Sequence, residues 1–174
     1  MMSLSHLLSD QIRLLLSAES QLARAVPKVV EGVSSTALRR ELEDHLAETH
    51  EHVDRLERIA HENLIRVGGK ACKAMEGLIG EVGEALAEAG DAAVCDVAVV
   101  ATLQRLEQFE VSAYSTAVAL ARELGMEMAL ELLHMTLDEE RRADLHLTEI
   151  RDEQLFARAP RRSDRPALQR PRSL

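Results

Sequence analysis

Apolar residues recur through most of the chain at alternating three- and four-residue steps, the spacing of helices that each bury one face. Leu8, Ile12, Leu15, Leu22, Val26 and Val29 make one such seam, and Leu130, Leu133, Leu137, Leu147 and Ile150 make another. Gly32, the Gly68-Gly69 pair, Gly90 and Gly125 interrupt the pattern, because glycine is costly inside a helix and natural at its ends. Five helices are predicted from these breaks: about Leu4 to Glu31, Thr36 to Leu64, Lys70 to Ala89, Ala92 to Leu124 and Met126 to Leu155. Ser34, Ser35 and Thr36 offer N-caps to the second helix and Asp91 to the fourth, while Pro27 is expected to kink or thin the last turn of the first. A short first turn, a long passage and a short last turn describe two antiparallel hairpins joined by a crossover helix. The expected fold is therefore all-α, a four-helix bundle with one additional helix.

The seams are not apolar throughout. The first reads Leu8, Ile12, Leu15, Glu19, Leu22, Val26, Val29, with a glutamate at its centre. The fourth helix gives Val100, Leu103, Glu107, Glu110, Tyr114, Ala117, Ala121 and Leu124, and the fifth gives Leu130, Leu133, Leu137, Glu140, Asp144, Leu147 and Ile150. The second helix is centred on Leu42, Leu46, Thr49, Val53 and Leu56, with His45, Glu48 and His52 as a stripe along one border. Depth links these breaks. Glu19 lies 14 residues before a turn centred near Val33 and Glu48 lies 15 after it; Glu110 and Glu140 each lie 15 residues from Gly125. At about 1.5 Å rise per residue, the members of each pair stand at nearly one height. Isolated buried carboxylates cost several kcal/mol each, so such a layer must be protonated, paired with cations, or bound to metal.

A pair of divalent cations held by Glu19, Glu48, His52, Glu107, Glu110, Glu140 and Asp144 would balance the charge. A donor set rich in carboxylate and poor in imidazole suits iron, and after it manganese, better than structural zinc. The alternative is a set of buried charge pairs or surface acids with the helix phases misjudged by one step. Tyr114, the chain's single Tyr, lies one turn beyond Glu110, where it is expected to be buried with its hydroxyl satisfied, to bond a ligand, or to act as a redox-active phenol. His50, His61 and His134 are expected to face solvent.

Composition supports the helices and narrows the functions. The 174 residues include two Phe, one Tyr and no Trp, so aliphatic residues must fill the core. No uninterrupted apolar run approaches the roughly 20 residues of a membrane span. The formal charge of −9 is uneven: the segment from Arg158 onward carries six Arg, one Asp and three of the four Pro, a net +5, which leaves about −14 on the rest. So acidic a body excludes a general nucleic-acid binder, and residues 156–174 are expected to form a disordered basic tail after a helical domain spanning 1–155. The start, MMSLSHLLSDQIR, has no basic stretch of the kind that precedes an export signal. A cytoplasmic protein is expected, with Cys72 and Cys95 as reduced, buried small hydrophobes. The Gly77, Gly80 and Gly83 stripe is expected to pack tightly against the bundle, with a self-association surface as the alternative.

The chain resembles the YciE/YciF family of ferritin-like proteins, a family of unknown function, over about Leu7 to Ile150. The carriers are AESQLARAVPKV at 18–29, HLAETHEHVDRLE at 45–57, CKAMEGLIGE at 72–81, QRLEQFEVSAYSTA at 104–117 and LDEERRADLHLTEI at 137–150. The resemblance implies a five-helix ferritin-like fold, a homodimer, a link to bacterial stress responses, and a di-metal site on the seven residues named above. Two departures bear on that site. Family members often read EHYE where this chain has Glu107-Gln108-Phe109-Glu110, and often have a second acid where it has Ala47. The expected function is that of a di-iron or di-manganese carboxylate protein reacting with O2 or peroxide, as a ferroxidase or peroxide scavenger. The alternative is a non-catalytic stress or interaction protein with a structural or vestigial site.

Overall fold

The structure, a computed structural model, describes residues 3–69, 71–88 and 90–161. Among them the protein is all-helical, with no strand. The five helices are α1 (Leu4–Gly32), α2 (Thr36–Glu62), α3 (Lys73–Ala87), α4 (Ala92–Glu123) and α5 (Glu127–Glu149). A π-helical segment, Ile150–Leu155, and a helical turn, Phe156–Arg158, continue α5. Serine and aspartate start the second and fourth helices as expected, and Ser3 caps the first as well. The Ser3 hydroxyl accepts from the His6 amide, the Ser35 hydroxyl from the Leu38 amide, and the Asp91 carboxylate from the amides of Ala93 and Val94. Gly125 sits at φ +66° between α4 and α5, in the left-handed region where a Cβ is penalised. Helix α1 runs through Pro27 as one element.

Helix α1 packs on α2 and α4, and α5 packs on α2 and α4, so these four surround a common interior; α3 lies across α1 and α4. Asp96, buried in α4, holds the α1–α2 turn from across that interior. Its carboxylate accepts from the Ser34 amide (2.9 Å), the Ser34 hydroxyl (2.6 Å) and the Ser35 amide (2.8 Å). This contact satisfies donors that the turn leaves open and sets the height of α1 and α2 against α4.

The apolar interior is in two parts. One cluster holds Leu22, Val26, Leu38, Leu42, Val99, Leu103 and Leu147. The other holds Leu8, Ile12, Leu15, Leu56, Ile59, Tyr114, Ala117, Leu133 and Leu137. Between these clusters each of the four helices turns polar or ionisable residues inward: Glu19 on α1, His45, Thr49 and His52 on α2, Glu107 and Glu110 on α4, and Glu140 on α5.

Three expectations are corrected. Helix α2 is rotated from the predicted phase: its buried seam is Leu38, Leu42, His45, Thr49, His52, Leu56 and Ile59, so both imidazoles lie on the seam itself and Leu46 and Val53 flank it. Gly77, Gly80 and Gly83 are exposed, and a Cβ at any of them would meet nothing within 4 Å, so they do not pack on the other helices. The predicted fifth helix leaves α geometry at Ile150. Residues 150 and 155 are both buried, yet five α-helical steps would place them about 140° apart; the wider π turn brings Ile150 and Leu155 to one side.

Cys72 is buried and reduced, while Cys95 is only half-buried. The expected basic tail falls largely on residues 162–174, outside the described residues. No described helix is long and apolar enough to cross a membrane.

Candidate metal centre

Five of the seven predicted site residues meet between the two apolar clusters. Glu19, His52, Glu110 and Glu140 are 0% exposed and Glu107 is 2% exposed. They come from α1, α2, α4 and α5, each at the point where that helix's seam turns from aliphatic to polar. His45, from two helical turns before His52 on α2, joins them at 6% exposure. Donor atoms fall into two groups with all members within 4.8 Å of one another: His45, Glu107, Glu110 and Glu140 in one, Glu19, His52 and Glu140 in the other. Glu140 belongs to both.

The second group is tied together by His52. Its Nδ1 lies 3.0 Å from Glu140 Oε1 and 3.3 Å from Glu19 Oε1, while its Nε2 lies 3.0 Å from Glu139 Oε2. Glu139 is gripped in turn by both Arg55 guanidinium nitrogens, and Arg55 also donates to Thr136. The Tyr114 hydroxyl donates to Glu19 Oε1 at 2.5 Å, and the Tyr114 ring meets the His52 ring edge-on at 6.3 Å. Of the roles considered for Tyr114, bonding a candidate ligand from a fully buried position is the one this contact establishes. In the first group, His45 Nε2 approaches Glu107 Oε1 at 3.5 Å.

Burial and crowding set the protonation of the layer. Desolvation pushes Glu107 and Glu110 well above the usual carboxylate range, and the neighbouring acids Glu19 and Glu140 push further. Glu19 is raised too, chiefly by burial, although its bond to His52 opposes this. Burial would lower His52, but its bonds to Glu140 and Glu19 prevail and carry it up to about 11. Glu140 is held below its ordinary value: burial acts to raise it, and the contacts with His52 overcome that.

Even with these contacts, Glu19 Oε2, both ring nitrogens of His45, Thr49 Oγ1, His52 Nδ1, Glu107 Oε2, and both carboxylate oxygens of Glu110 and of Glu140 have no hydrogen-bond partner. Buried polar atoms normally find one. So many on four helices at one level, all oxygen or imidazole nitrogen, fit a set of divalent cations whose ligands must be free to turn toward the ion. The donor types suit iron or manganese.

Two predicted residues stand outside both groups. Glu48 is half-buried on the flank of α2: its height is right, but the rotated seam points Thr49 inward in its place. Asp144 is half-buried between α4 and α5, where it accepts from Gln104 Nε2 (3.2 Å) and Gln108 Nε2 (2.7 Å). His50 and His61 are exposed as expected, and His134 is half-buried beside Arg122. The predicted α2 seam lies one step from the buried one and leaves His45 on its border. A seam through Leu38, Leu42, His45, Thr49, His52, Leu56 and Ile59 keeps the four-three spacing and would have found it. Arg55 and Glu139 carry no such signal, since a surface-facing Arg and Glu are ordinary on a helix.

Comparison with known proteins agrees with this architecture. The family model described as "Domain of unknown function (DUF892)" matches residues 3–159. Protein YciF of Escherichia coli K12 is 36% identical over 146 residues, covering 83% of this chain and 86% of that protein. The crystal structure of the E. coli stress protein YciF superposes with a TM-score of 0.87 at 31% identity, over 91% of this chain and all of that one. YcfI of Rhodopseudomonas palustris, provisionally described as a structural protein, gives 0.81 at 33% identity, over 84% of this chain and 94% of that one. A match through nearly the whole helical region, including all four helices that carry the polar layer, places this chain in the DUF892 family, together with YciF.

Proposed function

We propose that the protein is a ferritin-like di-metal carboxylate protein of the bacterial stress response, in which two iron ions, or manganese ions in their place, react with O2 or peroxide. The four helices around the interior are then the ferritin-like four-helix bundle and α3 is its crossover. The observation that carries this reading is the layer of partnerless carboxylate and imidazole atoms between two apolar clusters. The stress context comes from the description of the E. coli relative.

Paired metal ions would supply an electron source and a Lewis-acid anchor for the oxidant. The chain's own residues do the rest. Glu140 belongs to both donor groups and would offer a carboxylate to each ion. Tyr114 pins one oxygen of Glu19 and leaves the other free to turn. Arg55 and Glu139 fix the ring of His52 from outside, as the outer partners of metal-bound histidines do. Aliphatic residues above and below keep bulk water from the layer. We further propose a cytoplasmic homodimer that uses neither nucleic acid nor a membrane as partner.

The experiment is anaerobic reconstitution with ferrous iron, followed by metal analysis and exposure to air. About two ions per chain and an absorbance change in air support the proposal. Substoichiometric metal with no change rejects it. The competing reading, a non-catalytic protein with a structural polar layer, draws on His52, whose contacts with Glu19, Glu139 and Glu140 supply a positive charge without any metal. It requires the purified protein to hold metal near zero and to melt at the same temperature before and after chelator treatment. Sedimentation velocity tests the dimer.

A further inference from the structure

A narrow void lies between α2, α4 and α5 on one side of the candidate centre. Its volume is about 10 Å³, and its walls are the apolar side chains of Leu42, Leu103 and Leu147 with three polar groups, Glu41, His45 and Glu107. Glu41 stands at the outer end. Its side chain is 19% exposed, and its Oε1 lies 3.2 Å from Nδ1 of His146 on α5, which is 53% exposed. At the inner end, His45 and Glu107 are buried, and neither ring nitrogen of His45 has a hydrogen-bond partner. Glu41 and His45 are four residues apart on α2, so they lie on one face about 6 Å apart at Cβ. The order from solvent inward is therefore a carboxylate with a dissociable imidazole, then an unpartnered imidazole, then a carboxylate of the layer.

We propose that Glu41, with His146 across from it, is the entrance by which a divalent cation reaches His45 and Glu107. The inference rests on the metal-centre reading above and deepens it. A void of this size holds about one water molecule, so a hydrated ion cannot pass intact. It must exchange waters for ligands stepwise, and Glu41, His45 and Glu107 offer one oxygen, one nitrogen and one oxygen in that order. Glu41 supplies the negative charge that draws the ion to an opening with low-dielectric walls. The 3.2 Å contact with the half-exposed His146 is one that an arriving cation can displace, since solvent-exposed side-chain contacts of this kind are worth little. No bond other than metal coordination is made or broken, and no redox partner is required.

The test is stopped-flow uptake of ferrous iron under anaerobic conditions, with metal content at equilibrium measured on the same samples. Glu41→Gln is expected to slow uptake about tenfold or more, with equilibrium metal content and melting temperature unchanged. Glu81→Gln removes the same charge from an exposed site on α3 and should leave the rate as it is, which separates a local entrance from the overall field of an acidic protein. His146→Leu frees Glu41 and should not slow uptake. An unchanged rate in Glu41→Gln at full metal content overturns the entrance and leaves the metal centre standing. Equal slowing in Glu81→Gln also overturns it. Failure of the unsubstituted protein to bind iron overturns both.

Discussion

His52 is hydrogen-bonded through one ring nitrogen, Nε2 to Glu139, while its Nδ1 lies near Glu19 and Glu140 without a hydrogen bond; His45 is hydrogen-bonded through neither. The first imidazole is anchored from outside and turns its unpartnered Nδ1 toward the acids; the second has no anchor on either nitrogen. His45→Gln should therefore lower bound iron from about two ions per chain toward one, with little change in the metal-free melting temperature. Retention of full metal content would remove His45 from the site. Protonation of the acids gives a second expectation. Glu19, Glu107 and Glu110 all have raised pKa values, so in the metal-free fold they keep protons that the unfolded chain releases above about pH 4.5. His52, raised to about 11, does the same above its ordinary 6.5. The lowered pKa of Glu140 adds stability that is already complete above about 4.5. Every contribution that still changes above that value therefore has one sign. The metal-free protein should lose stability between about pH 5.5 and 8.5, and metal binding, which needs those protons gone, should tighten over the same interval. Melting curves with chelator and with metal at several pH values check both.

Each of the four helices around the interior reads as two aliphatic stretches separated by one or more turns of polar residues, while α3 has no such break. Helix α3 carries instead Gly77, Gly80 and Gly83 on an open face, where the backbone loses entropy on folding and no close approach repays it. Gly80→Ala is therefore expected to stabilise the protein by about 0.5–1 kcal/mol, read from denaturant midpoints at unchanged m-value. A loss of stability that depends on protein concentration would instead show that the face packs against another copy. At the C-terminal end, α5 shows how packing overrides local regularity: Ile150 and Leu155 are both buried because the helix widens between them.

For the molecule as a whole, the polar layer trades stability for binding. Glu110 offers two buried, partnerless oxygens that gain from ionisation only when a cation is near. Glu110→Leu should raise the stability of the metal-free protein by about 1–3 kcal/mol, the cost of leaving a buried polar group without a partner, and should abolish or halve metal binding. Destabilisation of the metal-free form would mean that Glu110 has a structural partner in solution. The same trade governs the net charge. Part of the formal −9 lies in the interior, where raised pKa values keep acids neutral until metal arrives, so charge counted at the surface overstates the repulsion the fold must bear.

Local pattern alone determined the five helices, two of their caps, the seams of α1 and α4, and the height at which acids interrupt them. These follow from 3.6-residue periodicity and 1.5 Å rise, which any stretch of the chain expresses without reference to the others. Azimuth was beyond it on two helices. On α2 a seam drawn through Leu46 and Val53 competes with one through His45 and His52, and on hydropathy the former wins. Only the meeting of four helices, which places carboxylates from α1, α4 and α5 opposite α2, makes the imidazole face the inner one and turns Glu48 aside. Asp144 was assigned inward by the spacing of α5, yet Gln104 and Gln108 of α4 provide partners in the groove that no single-helix pattern contains. The grip of Arg55 on Glu139 likewise exists only between α2 and α5. Period and depth are properties of one helix and can be read from sequence; which way a side chain faces at a polar layer is decided by what the neighbouring helices bring to meet it.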